Sequence, residues 1–146
     1  MFSVTKRFEF DYGHRVLGHG GKCKNVHGHH GIAEVTVNYG TLNKLGMVID
    51  FADLKDVVKG FIDTYWDHNI LLNYKDPLLK FLHDTEEIPP YVMGCYQGTH
   101  INGVNPTAEE MARELHFAIV EKLKPYKIVN VRIYETPSCW SDFTKE

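Results

Sequence analysis

Cys23 to His30, reading CKNVHGHH, decides how the rest of the 146-residue chain is read. Side chains on a strand alternate faces, so His27 and His29 project together if this stretch is extended. Positions 33, 35, 37 and 39 are Ala, Val, Val and Tyr, whereas 34, 36 and 38 are Glu, Thr and Asn. The two histidines therefore continue an apolar, inward face. Upstream, Phe8, Phe10 and Tyr12 alternate with Arg7, Glu9 and Asp11, and the next residue on the apolar parity is His14. Three neutral imidazoles with a fourth position left open make a catalytic zinc arrangement, whereas structural zinc sites usually close with four ligands that include cysteine. His14, His27 and His29 are read as a zinc site. A chain with nine histidines will sometimes place two in an HxH by chance, and the shared parity of all three speaks against that.

The length predicts one domain, residues 1–146, with room for a modest core. A net charge of -3 is too small to imply nucleic-acid or membrane binding by field alone. MFSVTKRF carries no signal-peptide pattern, and no apolar run approaches the ~20 residues of a membrane span. The expectation is a cytoplasmic protein with free thiols. Cys23, Cys95 and Cys139 match no disulfide framework or CxxC knuckle, and Cys95 and Cys139 are expected to be inert and partly buried.

In chain order, Ser3–Tyr12 alternates as a strand and Gly13–Lys22 reads as a glycine-rich loop. Arg15, Lys22 and Lys24 are either solvated charges or attractors of a polyphosphate. Ile32–Gly40 is a second strand, and Thr41–Gly46 a hairpin loop into a short strand at Met47–Ile49. Asp50 caps a helix whose core stripe is Leu54, Val57, Val58, Phe61, Ile62 and Tyr65. Residues 74–104 form an extended link, with a short helix beginning at Pro77 and an irregular or hairpin segment over 88–103. Thr107 and Glu110 form a capping box that opens a helix through about Leu123, with free amides at its start. In the last strand, Ile128–Thr136, the side chains of Val129, Val131 and Ile133 share the inward parity that Glu135 completes. A carboxylate there must fray into water or meet a partner.

Five ordered blocks give the chain a resemblance: His14 with CKNVHGHH, GMVIDFADLK from Gly46, WDHNILLN from Trp66, NPTAEE from Asn105, and YET from Tyr134. Together they resemble the 6-pyruvoyl-tetrahydropterin and 6-carboxy-tetrahydropterin synthase family, enzymes that process 7,8-dihydroneopterin triphosphate. Two long helices and about four strands predict an α+β domain, an antiparallel four-stranded sheet with the helices packed on one face, and the resemblance implies the tunnelling fold, in which subunit sheets join into a barrel, often as trimers stacked into hexamers. It leaves 74–104 as an insertion relative to compact members, and it places active sites between subunits.

The resemblance also implies roles. Asp67 and His68, by themselves no more than a helix end finding hydrogen bonds, match the family's proton-transfer pair, in which the acid orients and stabilises the imidazolium. Glu135 matches the family's pterin anchor. Thr107 is the second substrate-binding candidate, not from the resemblance but because the exposed amides at the start of its helix can receive polar ligand atoms. Cys23, four residues before His27 and flanked by lysines, is placed to act as base. Zinc at the histidines would act as a Lewis acid. Three residues separate Cys23 from His27, as in the carboxy-forming branch, so the expected product is 6-carboxy-5,6,7,8-tetrahydropterin, with acetaldehyde and triphosphate, toward 7-deazaguanine and queuosine. Loss of triphosphate alone, giving the 6-pyruvoyl product, is the alternative, and a hydrolytic zinc enzyme or a non-catalytic pterin-binding module are the other classes.

Overall fold

The frame of the computed structural model, which describes residues 1–85, 89–94 and 103–146, is a long antiparallel pair. Strand β1 (Ser3–His14) and strand β2 (His27–Asn38) run in unbroken register from Ser3 opposite Asn38 to His14 opposite His27. Period-two alternation produces this pair. Phe8, Phe10, Tyr12 and His14 are buried on one face with Ala33, Val35 and Val37, while Arg7, Glu9 and Asp11 point the other way. At Gly31 the same face lacks room for any side chain. A Cβ there would lie 2.8 Å from the Tyr12 ring and 3.0 Å from that of Phe10.

Helix α1 (Phe51–Tyr65) opens on Asp50, whose Oδ1 accepts from the Ala52 amide at 2.7 Å. That bond satisfies one of the orphan donors at a helix start, worth about 1 kcal/mol. The buried Leu54, Val58 and Ile62 of α1, with Trp66 beyond it, join the core of the sheet. Strand β3 (Asn69–Leu72) then pairs parallel to β1, helix α2 spans Leu78–Thr85, and strand β4 (Tyr91–Val92) pairs parallel to β3. Helix α3 (Ala108–Ile119) buries Met111, Leu115 and Ile119 against the same core. Strand β5 (Lys127–Thr136) pairs antiparallel with β2, and β6 (Cys139–Phe143) antiparallel with β5.

The fold is α+β, but the sheet is mixed and, among the described residues, has six strands, in the order β4-β3-β1-β2-β5-β6, with three α-helices. It is not the four-stranded antiparallel sheet with two helices expected from the sequence. One expected strand is absent: at Met47–Ile49 the backbone bonds locally instead. Asn43 Oδ1 accepts from the Leu45 and Met47 amides, the Asn43 amide donates to the Met47 carbonyl, and Gly46 sits at φ +81°. Val48 and Ile49 are still buried as the lead into α1. The extra strands are short. NILL has no alternation to read, and CWSDF pairs with β5 through its backbone while keeping its side chains largely exposed. A register irregularity at Thr36/Val37 also alters the inward set of β5 to Ile128, Val131 and Ile133, leaving Val129 only half-buried.

The expected helix at Pro77 is α2, one residue further on, while the irregular or hairpin reading of 88–103 falls partly on residues 88 and 95–102, outside those described, as does Cys95. Cys139 is exposed, not partly buried, and hydrogen bonds from Thr136 and Ser138 hold its thiol below the usual range. No helix among the described residues is long and apolar enough to cross a membrane.

Candidate metal centre and active site

The register of β1 and β2 assembles the histidines. His14 stands directly opposite His27, and Tyr12 opposite His29, so three imidazoles occupy adjacent inward positions at one end of the strand pair. Their ring centroids lie 4.7, 4.9 and 5.0 Å apart, and one nitrogen from each falls within 4.8 Å of the other two. His30, the third histidine of the CKNVHGHH stretch, alternates to the opposite face and bonds Asp11 at 2.7 Å.

Two backbone carbonyls fix which ring atoms face the cluster. His14 Nδ1 lies 2.6 Å from the Pro106 carbonyl and His27 Nδ1 2.7 Å from the Asn25 carbonyl. A carbonyl only accepts, so each Nδ1 carries the hydrogen, and in the neutral ring each Nε2 then keeps its lone pair. His14 Nε2 is buried without a hydrogen-bond partner among the described residues. An orphaned buried acceptor is costly in a folded interior, and a metal ion would satisfy it. Burial, opposed by the Pro106 carbonyl and reinforced by His27 and His29, lowers the His14 pKa to about 4. Burial likewise lowers that of His29, against the charge of Glu135 and with that of His27. Neutral imidazole is the form that ligates a metal, and three such donors with an open fourth position fit zinc.

Glu135 is positioned by β5, one residue beyond the Ile32–Tyr134 pair. Its Oε1 lies 3.7 Å from His14 Nε2, beyond hydrogen-bond length, with the side chain 30% exposed. No described residue donates a hydrogen bond to this carboxylate. The strand does not fray before it, since β5 continues to Thr136. The buried Tyr12 hydroxyl, also without a partner among the described residues, is pushed above the ordinary phenol range by burial and then by Glu135.

Asp67 and His68 follow α1 on a sharp turn in which His68 takes φ +55°. That conformation turns the His68 amide onto the Asp11 carbonyl, 2.7 Å away, while the Asp11 amide donates to Asp67 Oδ1 at 3.0 Å. His68 Nδ1 lies 3.0 Å from Asp67 Oδ2. Asp67 raises the pKa of the exposed imidazole through this hydrogen bond. Burial pushes the Asp67 carboxyl up, but the Asp11 amide and His68 outweigh it and leave it below the usual range. A cavity of about 920 Å³ is bounded by Tyr12 and His29 on one side, His68 and Ile70 on another, and Leu82 and Pro90 from the 74–104 segment. His29 and His68 therefore face one space within a single chain.

Cys23 is exposed in a one-turn 3-10 helix, Lys22–Lys24, tied to the end of β1 by the Val16 amide on its own carbonyl at 2.8 Å. It does not line the cavity and is not in the histidine group. Thr107 is the N-cap of α3, its Oγ1 accepting from the Glu110 amide at 3.3 Å. The return arm of the expected capping box is not made: the Thr107 amide donates to the Asn105 carbonyl and Glu110 pairs with Arg113. Arg15 is neither a solvated charge nor free to meet a polyphosphate, because it forms a two-point ion pair with the fully buried Asp76. Sequence reading missed the Pro106 and Asn25 carbonyls. Backbone acceptors leave no residue signature, although NPT beside the helix cap marked the place of one.

Residues 3–146 match the family model described as 6-pyruvoyl tetrahydropterin synthase. The chain is 38% identical over 144 residues to 6-carboxy-5,6,7,8-tetrahydropterin synthase of Rickettsia felis, covering 96% of this chain and 98% of that one. It is 33% identical over 147 residues to the protein of the same name from Haemophilus influenzae, covering 98% and 99%. Solved structures share the fold, among them these two. An uncharacterized protein from Wolinella succinogenes aligns with a TM-score of 0.80 at 24% identity, covering 99% of this chain and 98% of that one. Caenorhabditis elegans 6-pyruvoyl tetrahydropterin synthase aligns at 0.69 and 20% identity, covering 99% and 96%.

Proposed function

This chain belongs to the 6-pyruvoyl tetrahydropterin synthase family, and we propose that it is a zinc-dependent lyase converting 7,8-dihydroneopterin triphosphate and one water to 6-carboxy-5,6,7,8-tetrahydropterin, with release of acetaldehyde and triphosphate, in 7-deazaguanine and queuosine biosynthesis. The observation that carries the reading is the histidine triad with His14 Nε2 buried and, among the described residues, unpartnered, beside a carboxylate to which no described residue donates a hydrogen bond. His14, His27 and His29 would hold zinc, which supplies Lewis acidity toward the hydroxyls of the substrate side chain.

The chain's own residues do the rest. Glu135 accepts hydrogen bonds from the amino group and ring N–H of the pterin, which orients the side chain toward the triad. Cys23, between Lys22 and Lys24, takes the proton from the substrate side chain as thiolate. His68, held toward its charged form by Asp67, exchanges the second proton. Thr107 and the first amides of α3 meet polar substrate atoms. The carboxy product is favoured over the pyruvoyl one by the names of the relatives at 33–38% identity and by the three residues between Cys23 and His27. The open edge of β6 suits pairing between subunits, and a barrel of joined sheets with sites shared between chains completes the proposal.

The test is product analysis. Zinc-loaded protein incubated with 7,8-dihydroneopterin triphosphate is expected to give a carboxylated tetrahydropterin by mass spectrometry, with acetaldehyde in equal amount. Pyruvoyl product without acetaldehyde would move the chain to the other branch, and the absence of turnover would leave a binding module.

A further inference from the structure

We infer that Asn105 is a positioning residue for the metal: it holds the Pro106 carbonyl that orients His14, and so sets the affinity of the site. The inference rests on the zinc reading of the triad. Its ground is a polar network behind the histidines that the proposed chemistry does not use.

The Asn105 side chain grips the loop after β1 by both polar groups of one residue. Its Oδ1 accepts from the Leu17 amide at 3.1 Å, and its Nδ2 donates to the Leu17 carbonyl at 3.0 Å. This two-point bond fastens the chain three residues past His14 to the residue directly before Pro106. A second donor, Nδ2 of the buried Asn73, reaches the same Oδ1 at 2.9 Å. The Asn105 carbonyl in turn accepts from the Thr107 amide at 2.8 Å. Pro106 is thus bracketed on both sides, with its carbonyl 2.6 Å from His14 Nδ1.

The chemistry follows from that bracket. Pro106 lies on the α3 approach and His14 on β1, so only a cross-link between the two segments keeps the acceptor under the imidazole. Asn105 supplies this link with an amide, which alone among short side chains both donates and accepts at the required spacing. An aspartate would lose the donor to Leu17, and an alanine would lose both bonds. Partners of this kind, which fix the tautomer and orientation of a metal-ligating histidine, typically cost 10–100-fold in metal affinity when removed.

Zinc affinity by chelator competition, and the visible spectrum of the cobalt-substituted protein, are measured for wild type, Asn105→Ala, Asn105→Asp and Glu114→Gln, together with the melting temperature of each metal-free form. Glu114 is buried on α3 and accepts from Tyr91 and Gly94, and the Asn105 side chain bonds Leu17 and Asn73, not Glu114, so its variant reports the effect of lost stability. The inference expects a 10–100-fold loss of zinc affinity and an altered cobalt spectrum in both Asn105 variants, with the affinity and spectrum of Glu114→Gln like wild type at a comparable melting temperature. Wild-type affinity and spectrum in Asn105→Asp, or a loss in Glu114→Gln equal to that in the Asn105 variants, would overturn it. Failure of wild type itself to bind zinc or cobalt would overturn the zinc reading and the inference with it.

Discussion

A single imidazole shows how the site is made. His14 is 1% exposed, donates from one nitrogen to a backbone carbonyl and leaves the other unpaired among the described residues, an arrangement costly for a core residue and suited to a metal ligand. The three histidines were legible in the sequence because alternation assigns each residue to a face, and the observed register places them together. The role of Cys23 has no such geometric signature, so it is decided by substitution. Cys23→Ala is expected to lower kcat by at least about 100-fold, the scale of general base catalysis, while zinc content measured by atomic absorption stays at the wild-type level. Retained activity would favour a hydrolytic site that uses metal-bound water. Glu135→Gln removes the charge from the hydrogen bonds proposed for the pterin. A loss of about 1.5–3 kcal/mol raises KM roughly 10–100-fold, and unchanged KM would show that the acid merely reaches water.

At the scale of elements, the sequence was most readable where side chains alternate or repeat, in β1, β2, α1 and α3, and least where the backbone decides. The Asn43 side chain turned a predicted strand at Met47–Ile49 into a bend, and the irregularity opposite Thr36 shifted the inward set of β5. Neither leaves an apolar pattern to follow. Glycine at 31 was equally silent, yet Tyr12 and Phe10 pack over it. Gly31→Ala forces those rings aside, and overpacking of this kind costs about 1–3 kcal/mol, readable as a lower midpoint in urea. Helix α3 makes a prediction about acid. His116 is buried against Phe117 and Phe143, and burial, with Lys145, lowers its pKa from 6.5. Below that pH the unfolded chain takes up a proton that the folded chain refuses. This contribution is therefore complete above pH 6.5 and is lost as pH falls through and below it. In metal-free protein, His116→Leu is expected to flatten the fall in stability between pH 7 and pH 5 relative to wild type, and parallel curves would contradict the assignment.

For the whole molecule, the sheet order brings the first strand pair, the turn after α1, the approach to α3 and the end of β5 to one place. No stretch of sequence holds the site alone, and for that reason a local motif suggested the metal while five ordered blocks were needed to suggest the substrate. A ligand that joins β1 to β2 stabilises the folded chain by mass action: zinc at 1,000 times its dissociation constant adds about 4 kcal/mol, so the melting temperature is expected to rise with zinc and fall on chelation. The most direct test of the central claim is X-ray absorption at the zinc edge on the loaded protein. The account predicts one zinc per chain with three imidazole nitrogens and an oxygen donor, and loss of that signal in His14→Ala. A sulfur scatterer in the coordination shell would make Cys23 a ligand rather than a base, and would contradict it.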